Sequence, residues 1–183
     1  MTLQERYQKE FVPQLMRDLG VTNPMAVPRV SKIVLNVGMG GAQSDPKLAE
    51  LVEHSLTRIT GQRPVRALAR KSIASFKIRA GMPVGMMVTL RGKRMWDFLE
   101  KMVRTSLPRV RDFRGIPISS VDGRGNLSLG FREHIVFPEI RVDEVEKIHG
   151  LQVTIASTAT TRERGLALFR VLGFPFRAEG QRS

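Results

Sequence analysis

Ten basic side chains, Arg58, Arg63, Arg66, Arg70, Lys71, Lys77, Arg79, Arg91, Lys93 and Arg94, lie between His54 and Trp96 with no Asp or Glu among them. They supply ten units of a formal net charge of +13. A field of that density repels itself unless a polyanion lies against it, so these cations point to phosphate neutralisation on a nucleic acid. Arginine dominates the basic residues, which favours planar forks that grip phosphate through two bonds and stack on bases. An arginine-rich genomic composition would give the same ratio, but it would not cluster the charges.

Other chemistries are poorly supported. The Gly38-Met39-Gly40-Gly41 turn invites a nucleotide-cofactor reading, because glycines let backbone amides approach phosphates. Gln43 stands where the third glycine of a dinucleotide fingerprint belongs, and no Gly-Lys-Ser/Thr follows for a P-loop, so a plain tight turn or a backbone that approaches RNA is the better reading. His54, His134 and His149 are far apart and lack metal-ligand spacing. The absence of cysteine removes thiolate metal sites and a cysteine nucleophile. Carboxylates stay out of the basic block, so no acidic metal cluster sits where a nucleic-acid substrate would dock. No catalytic residue, metal or cofactor is expected. The acidic group Glu139, Asp143, Glu144 and Glu146 is either a solvated face or a docking patch for a basic partner.

Aromatic residues make up 6% of the chain, which argues against a reader of splayed single-stranded bases and for structured RNA held through backbone and shape. The loop at about 71–83 interleaves Lys71, Lys77 and Arg79 with Ile73, Phe76, Ile78 and Met82. That mixture suits neither water alone nor a core alone. The spacing predicts a mobile finger, hinged near Gly81, that meets RNA when assembled, in preference to a core segment with outward charges.

These groups need elements to carry them. Leu3, Tyr7, Phe11, Leu15 and Leu19 recur at helical spacing before Gly20, and Ile33, Leu35 and Val37 alternate with Lys32, Val34 and Asn36 as in a half-buried strand. Ser44-Asp45-Pro46 opens a second helix that runs to Gly61. Residues 64–69 and 84–90 read as paired strands flanking the finger. Met95 to Leu107 reads as a helix ended by Pro108, and residues 116–121 and 127–129 as a hairpin around Asp122-Gly123-Arg124-Gly125-Asn126. A strand over 151–156 follows, and then a helix opened by a Thr160–Glu163 capping box and closed by Gly173. The expected fold class is α+β: a two-layer sandwich, mostly antiparallel, with helices packed on one sheet face and the other face open to RNA.

At 183 residues and 42% hydrophobic content, with no linker or repeat, one domain spanning 1–183 is expected, with a flexible tail at 177–183. The start lacks an apolar leader core, and no apolar run reaches membrane-spanning length, so a soluble cytoplasmic protein with no membrane partner is expected.

Several blocks carry a family resemblance: Lys32-Ile33-Val34-Leu35-Asn36-Val37-Gly38, Thr60-Gly61-Gln62-Arg63-Pro64, Arg70-Lys71-Ser72-Ile73-Ala74-Ser75-Phe76-Lys77-Ile78-Arg79 and Val88-Thr89-Leu90-Arg91-Gly92. Phe131 through Pro138-Glu139-Ile140, and Thr160-Thr161 to Leu172-Gly173-Phe174-Pro175-Phe176, continue it nearly end to end. The sequence closely resembles large-subunit ribosomal protein five of bacteria. The resemblance implies a ribosome-bound protein of the central protuberance, with other proteins of that region as neighbours. Such a protein binds 5S rRNA, links it to the large-subunit rRNA, and touches the P-site tRNA and a small-subunit head protein.

Carried over residue by residue, the resemblance places 5S rRNA contacts at Asn36, Gln62, Arg63, Arg66 and Thr89, with Lys32 and Arg91 beside them. The tRNA-facing loop corresponds to Lys71, Ser72, Ser75, Phe76, Lys77, Ile78, Arg79, Gly81 and Met82. The head-protein contact falls at Arg109, Arg111, Asp112 and Arg114, and at Glu139, Asp143 and Glu144. The readings that compete are a structured-RNA-binding protein outside the ribosome, an RNA-processing enzyme, and a peripheral binder of anionic membranes.

Overall fold

In the computed structural model, residues 1–40, 46–141, 143 and 145–177 are described. The expected cap at Ser44 and Asp45, the third-glycine position Gln43, Glu144 and the tail beyond Arg177 lie outside the described residues. Among the described residues five strands form one sheet in the order β2-β3-β1-β5-β4, where β1 is Val30–Gly38, β2 Val65–Leu68, β3 Pro83–Leu90, β4 Leu127–Phe131 and β5 Leu151–Ser157. The fold is the expected α+β sandwich, with a mostly antiparallel open sheet and four principal helices. The chain groups into two compact units: one of residues 34–90 and 130–153, the other of residues 1–33, 91–129 and 154–183.

In the unit of residues 34–90 and 130–153, α2 (Pro46–Thr60) buries Val52, Leu56 and Ile59. It packs on β3, whose Met86, Val88 and Leu90 are almost wholly shielded. The two-residue period of a strand turns the alternate side chains to the other face. On β1 that alternation is as read from sequence, with Leu35 and Val37 buried and Asn36 exposed. β2 pairs antiparallel with β3 in a register that sets Val65 opposite Met87, Arg66 opposite Met86 and Ala67 opposite Gly85. The Gly38-Met39 turn extends the ladder, because the Met39 N–H donates to the Val84 carbonyl at 3.0 Å and the Met39 side chain is buried. A backbone committed to its neighbour has no amide left at Met39 for a phosphate.

In the other unit, α1 is continuous through Leu3–Arg6, a π-helical Tyr7–Phe11 and Val12–Leu19. α3 repeats the device through Gly92–Lys101, a π-helical Met102–Ser106 and Leu107–Arg109. In each helix a proline, Pro13 or Pro108, sits two residues beyond the wide turn. A proline ring collides with the carbonyl four residues back and offers it no N–H, and the π turn accommodates both defects. The sequence reading of Pro108 as a helix end is therefore corrected: the helix continues through Arg109. The first arm of the expected hairpin is also corrected. Residues 116–121 hold a single turn of 3-10 helix at Ile118–Ser120 and isolated bridges, Ile116 to Phe176 and Val121 to Leu127. Pro117 removes a ladder donor from that arm.

The last helix, α4 (Arg162–Val171), is capped by Thr161, whose hydroxyl accepts from the Arg164 N–H at 3.4 Å, and not by the expected Thr160–Glu163 box. A true capping box is instead formed by Thr2 and Glu5 at the start of α1. The turn before β4 is organised by Asp122, whose carboxylate accepts from the backbone N–H groups of Arg124 at 2.9 Å and Asn126 at 2.8 Å. This presents Gly125, at φ +77°, directly against Gly165 of α4, where a Cβ on Gly165 would lie 2.4 Å from the Gly125 Cα. Helix and turn meet backbone to backbone. Among the described residues no helix is long and apolar enough to cross a membrane.

Candidate nucleic-acid interface

The face of β1, β2 and β3 that α2 leaves uncovered carries Asn36, Val65, Gly85, Met87 and Thr89. Asn36 is exposed at the end of an otherwise buried alternation, and its height on the sheet is set by Gly85. A Cβ added at Gly85 would lie 3.0 Å from the Val37 carbonyl and 3.9 Å from Asn36 Oδ1. Gly85 keeps that space clear, so the Asn36 amide stands beside bare backbone. Val65 and Met87, opposite one another in the ladder, are 66% and 39% exposed. The uncovered face thus mixes short polar groups with an exposed apolar pair, which suits sugar and base edges better than phosphate alone.

Gln62 reaches this face from the turn after α2. Gly61, at φ +66°, terminates that helix in the left-handed conformation that glycine adopts without strain. Thr60 then fastens the turn: its hydroxyl donates to the Leu56 carbonyl at 2.7 Å and accepts from the Gln62 N–H at 3.2 Å. The Gln62 side-chain amide donates to the Thr89 carbonyl at 3.4 Å, which ties two of the expected contact residues to each other.

Arg63 and Arg66 are arranged differently from what the sequence suggests. Because Arg66 pairs with the fully buried Met86, it leaves the edge strand on the helix side of the sheet. There one carboxylate, Glu53 of α2, holds both arginines, with Arg63 Nε at 2.8 Å from Oε1 and Arg66 at 2.9 Å from Oε2. The Arg66 and Arg63 guanidinium groups keep the Glu53 carboxyl below the usual carboxylate range. Glu53 stands immediately before the acid-free block and five residues before its first cation, Arg58, and sequence reasoning misses it as part of the candidate site. The available signal is its position on the helix turn before Arg58, but nothing local indicates two arginines converging on it.

The finger after β2 is laced by hydrogen bonds of its own. Its base is closed by the Ala69 N–H to the Met82 carbonyl at 2.8 Å and the Gly81 N–H to the Ala69 carbonyl at 2.9 Å. Ile73 and Ile78 form a bridge across it, and Ser72 Oγ accepts from the Ala80 N–H at 2.9 Å. A short 3-10 turn, Ala74–Phe76, ends at Lys77 in the left-handed region with φ 54°. The tip therefore presents Lys71, Ser75, Lys77 and Arg79 together with Phe76, which is 68% exposed. Ile78 and Met82 are half-buried.

The remaining expected residues divide between the units. Lys32, half-buried on β1, and exposed Arg91, just before α3, belong to the unit of residues 1–33, 91–129 and 154–183. So do Arg109, Arg111, Asp112 and Arg114, of which Asp112 has φ 51°. Glu139, half-buried, and exposed Asp143 belong to the unit of residues 34–90 and 130–153. No group of three or more His, Cys, Asp or Glu among the described residues could hold a metal ion.

Comparison with known proteins finds relatives over almost the whole chain. Residues 23–79 match the family profile described as ribosomal protein L5, and residues 83–176 match the profile of the C-terminus of the same ribosomal family. The large ribosomal subunit protein uL5 of Halothermothrix orenii is 53% identical over 174 residues, covering 95% of this chain and 97% of that protein. The protein of the same name from Chloroflexus aurantiacus is 55% identical over 175 residues, covering 96% of this chain and 97% of its own length. That from Desulfotalea psychrophila is 52% identical over 175 residues, with coverage of 96% and 98%. Two family profiles that together span residues 23–79 and 83–176, and an identity above half over nearly the full length, place this chain in the ribosomal protein L5 family.

Proposed function

We propose that this protein, a non-enzymatic structural constituent of the large ribosomal subunit, binds 5S rRNA through the uncovered face of β1, β2 and β3 and attaches it to the large-subunit rRNA in the central protuberance. The observation that carries the reading is the exposed Asn36 amide beside Gly85, with Gln62 and Thr89 tied together nearby in a stretch that carries ten basic residues. Phosphate contacts hold an RNA in place, and short polar groups on a rigid sheet fix its register. The finger, with Lys77 and Phe76 at its tip, is assigned to the P-site tRNA. Arg109, Arg111, Asp112 and Arg114, together with Glu139 and Asp143, are assigned to a small-subunit head protein.

The test is retention of 5S rRNA against tRNA and a random duplex of similar length across a salt series. A preference for 5S rRNA that survives high salt supports the reading, and Asn36→Ala is expected to reduce that preference while leaving the salt slope unchanged. Equal, steeply salt-dependent binding to all three RNAs would overturn it.

A further inference from the structure

Within the unit of residues 1–33, 91–129 and 154–183, a cavity of about 460 Å³ opens between α1, the start of β1 and the start of α3. That volume falls within the range of small-ligand sites, roughly 300–1,000 Å³. Its wall contains the only tyrosine and the only tryptophan of the chain, Tyr7 and Trp96, whose ring centroids are 5.2 Å apart. Arg29 and Arg91 also line it, as do Gln4 and Gln8, and no Asp or Glu does.

Neither guanidinium has an ion pair or hydrogen bond among the described residues. Arg29 is close enough to Tyr7 to draw the phenol's pKa down, while the larger effect of burial pushes it up to about 12. The phenol therefore stays protonated and donates to the Pro28 carbonyl at 2.8 Å, which fixes the ring as a wall. The Trp96 indole N–H makes no hydrogen bond among the described residues and is free to donate. Trp96 is 9% exposed, so a ligand would meet the edge of the indole and not its whole face.

Two guanidinium groups suit an anionic group and the aromatic wall suits a ring, so the lining as a whole fits an occupant that carries both. We propose that this cavity is a nucleotide site, taking one phosphorylated nucleoside with its phosphate against Arg29 and Arg91 and its base against the edge of Trp96. The glutamine amides are the groups available to the ribose and base. The proposal rests on the RNA-binding reading for one of its two sources, a nucleotide unstacked from the bound RNA. The other source is a free mononucleotide.

The single tryptophan supplies the readout. The full-length protein is titrated with adenosine monophosphate, uridine monophosphate and inorganic phosphate while Trp96 emission is followed, excited at the red edge of the indole band. A saturable change with the mononucleotides at up to millimolar concentration, absent with phosphate alone and weakened about tenfold by Arg29→Glu, is the expected result. Arg29 is exposed, so the variant is expected to fold, and circular dichroism checks that it does. No saturable change, an equal response to phosphate alone, or indifference to Arg29→Glu would each overturn the site.

Retention of 5S rRNA is measured on the same preparations. If 5S rRNA binds and Trp96 ignores nucleotides, the cavity proposal fails and the RNA reading stands. If Trp96 responds but 5S rRNA does not bind, the site stands and the RNA reading fails. With both present, suppression of the mononucleotide response by bound 5S rRNA assigns the site to an RNA-borne nucleotide, and simultaneous binding assigns it to a free one.

Discussion

Glu53 reaches into the basic block through Arg63 and Arg66, and replacing it with glutamine tests what holds the RNA. In the free protein its carboxylate bridges Arg63 and Arg66 at 2.8 Å and 2.9 Å, with the Arg63 side chain 81% exposed and that of Arg66 54% exposed. The clamp carries a net charge of about +1, and Glu53→Gln raises it to about +2. If an RNA phosphate must compete with the carboxylate for these forks, the variant gains about one released counterion. The logarithmic salt slope should then steepen by roughly 0.9, with tighter binding at low salt. The side chain kept in place is isosteric and the ion pairs are solvent-exposed, so the fold should tolerate the change. The assay is 5S rRNA retention over a salt series for Glu53→Gln, Arg63→Ala and Arg66→Ala. Weaker binding by Glu53→Gln would refute the competition argument, because it would mean that the carboxylate orients the guanidinium groups for the RNA.

Three further outcomes are expected. Gly165→Ala should destabilise the protein although alanine gains about 1 kcal/mol of helix propensity, because its Cβ would lie 2.4 Å from the Gly125 Cα. A net loss of about 2 kcal/mol, seen as a Tm lowered by roughly 4–8 °C, is expected against a neutral or stabilising Gly130→Ala control, where nothing lies within 4 Å of the new Cβ. His134 and His149 stack at 4.0 Å, and burial lowers the pKa of both, that of His149 to about 4. The unfolded chain therefore takes up protons between about pH 6.5 and 4 that the folded chain refuses, so stability should fall as pH falls through that window. Solvent screening of the partly exposed His149 ring reduces its share to about 1–2 kcal/mol, and urea denaturation near neutral pH and near pH 5 should show a smaller difference for His149→Phe. A single-domain chain requires Trp96 emission, which reports on one unit, to melt together with far-ultraviolet circular dichroism, which reports on both. Separate transitions would refute it.

What is legible in the sequence follows from the range of each interaction. The alternation of Lys32, Val34 and Asn36 with Ile33, Leu35 and Val37 is a period of two in consecutive residues, so both the strand and its uncovered face can be read without coordinates. The same holds for α2, whose apolar period and terminal Gly61 are local. The errors arise where a local signal is overruled by distant geometry. Pro108 reads as a stop, yet a widened turn carries α3 past it. Residues 116–121 alternate like a strand, yet Pro117 leaves only isolated bridges. Thr160 and Glu163 have capping-box spacing, but the cap is one residue later.

The site divides on the same principle. Asn36, Gln62 and Thr89 are legible because each sits at a position whose side-chain direction the strand or turn dictates. Arg63 and Arg66 are legible as cations but not as a pair restrained by Glu53, because that contact spans ten and thirteen residues and depends on how α2 lies over the edge strand. Arg29 carries no local signal at all. It stands outside the acid-free block, and only the packing of α1 and α3 brings it to a cavity with Arg91 and Trp96. Charge clustering along a chain finds surfaces that meet a polyanion broadly, whereas a site for one nucleotide is assembled from single cations on separate elements and leaves no run to detect. The two kinds of site should therefore part under salt. The face around Asn36 and the finger should lose affinity steeply as counterions compete, and the cavity, with only two cations, should lose far less.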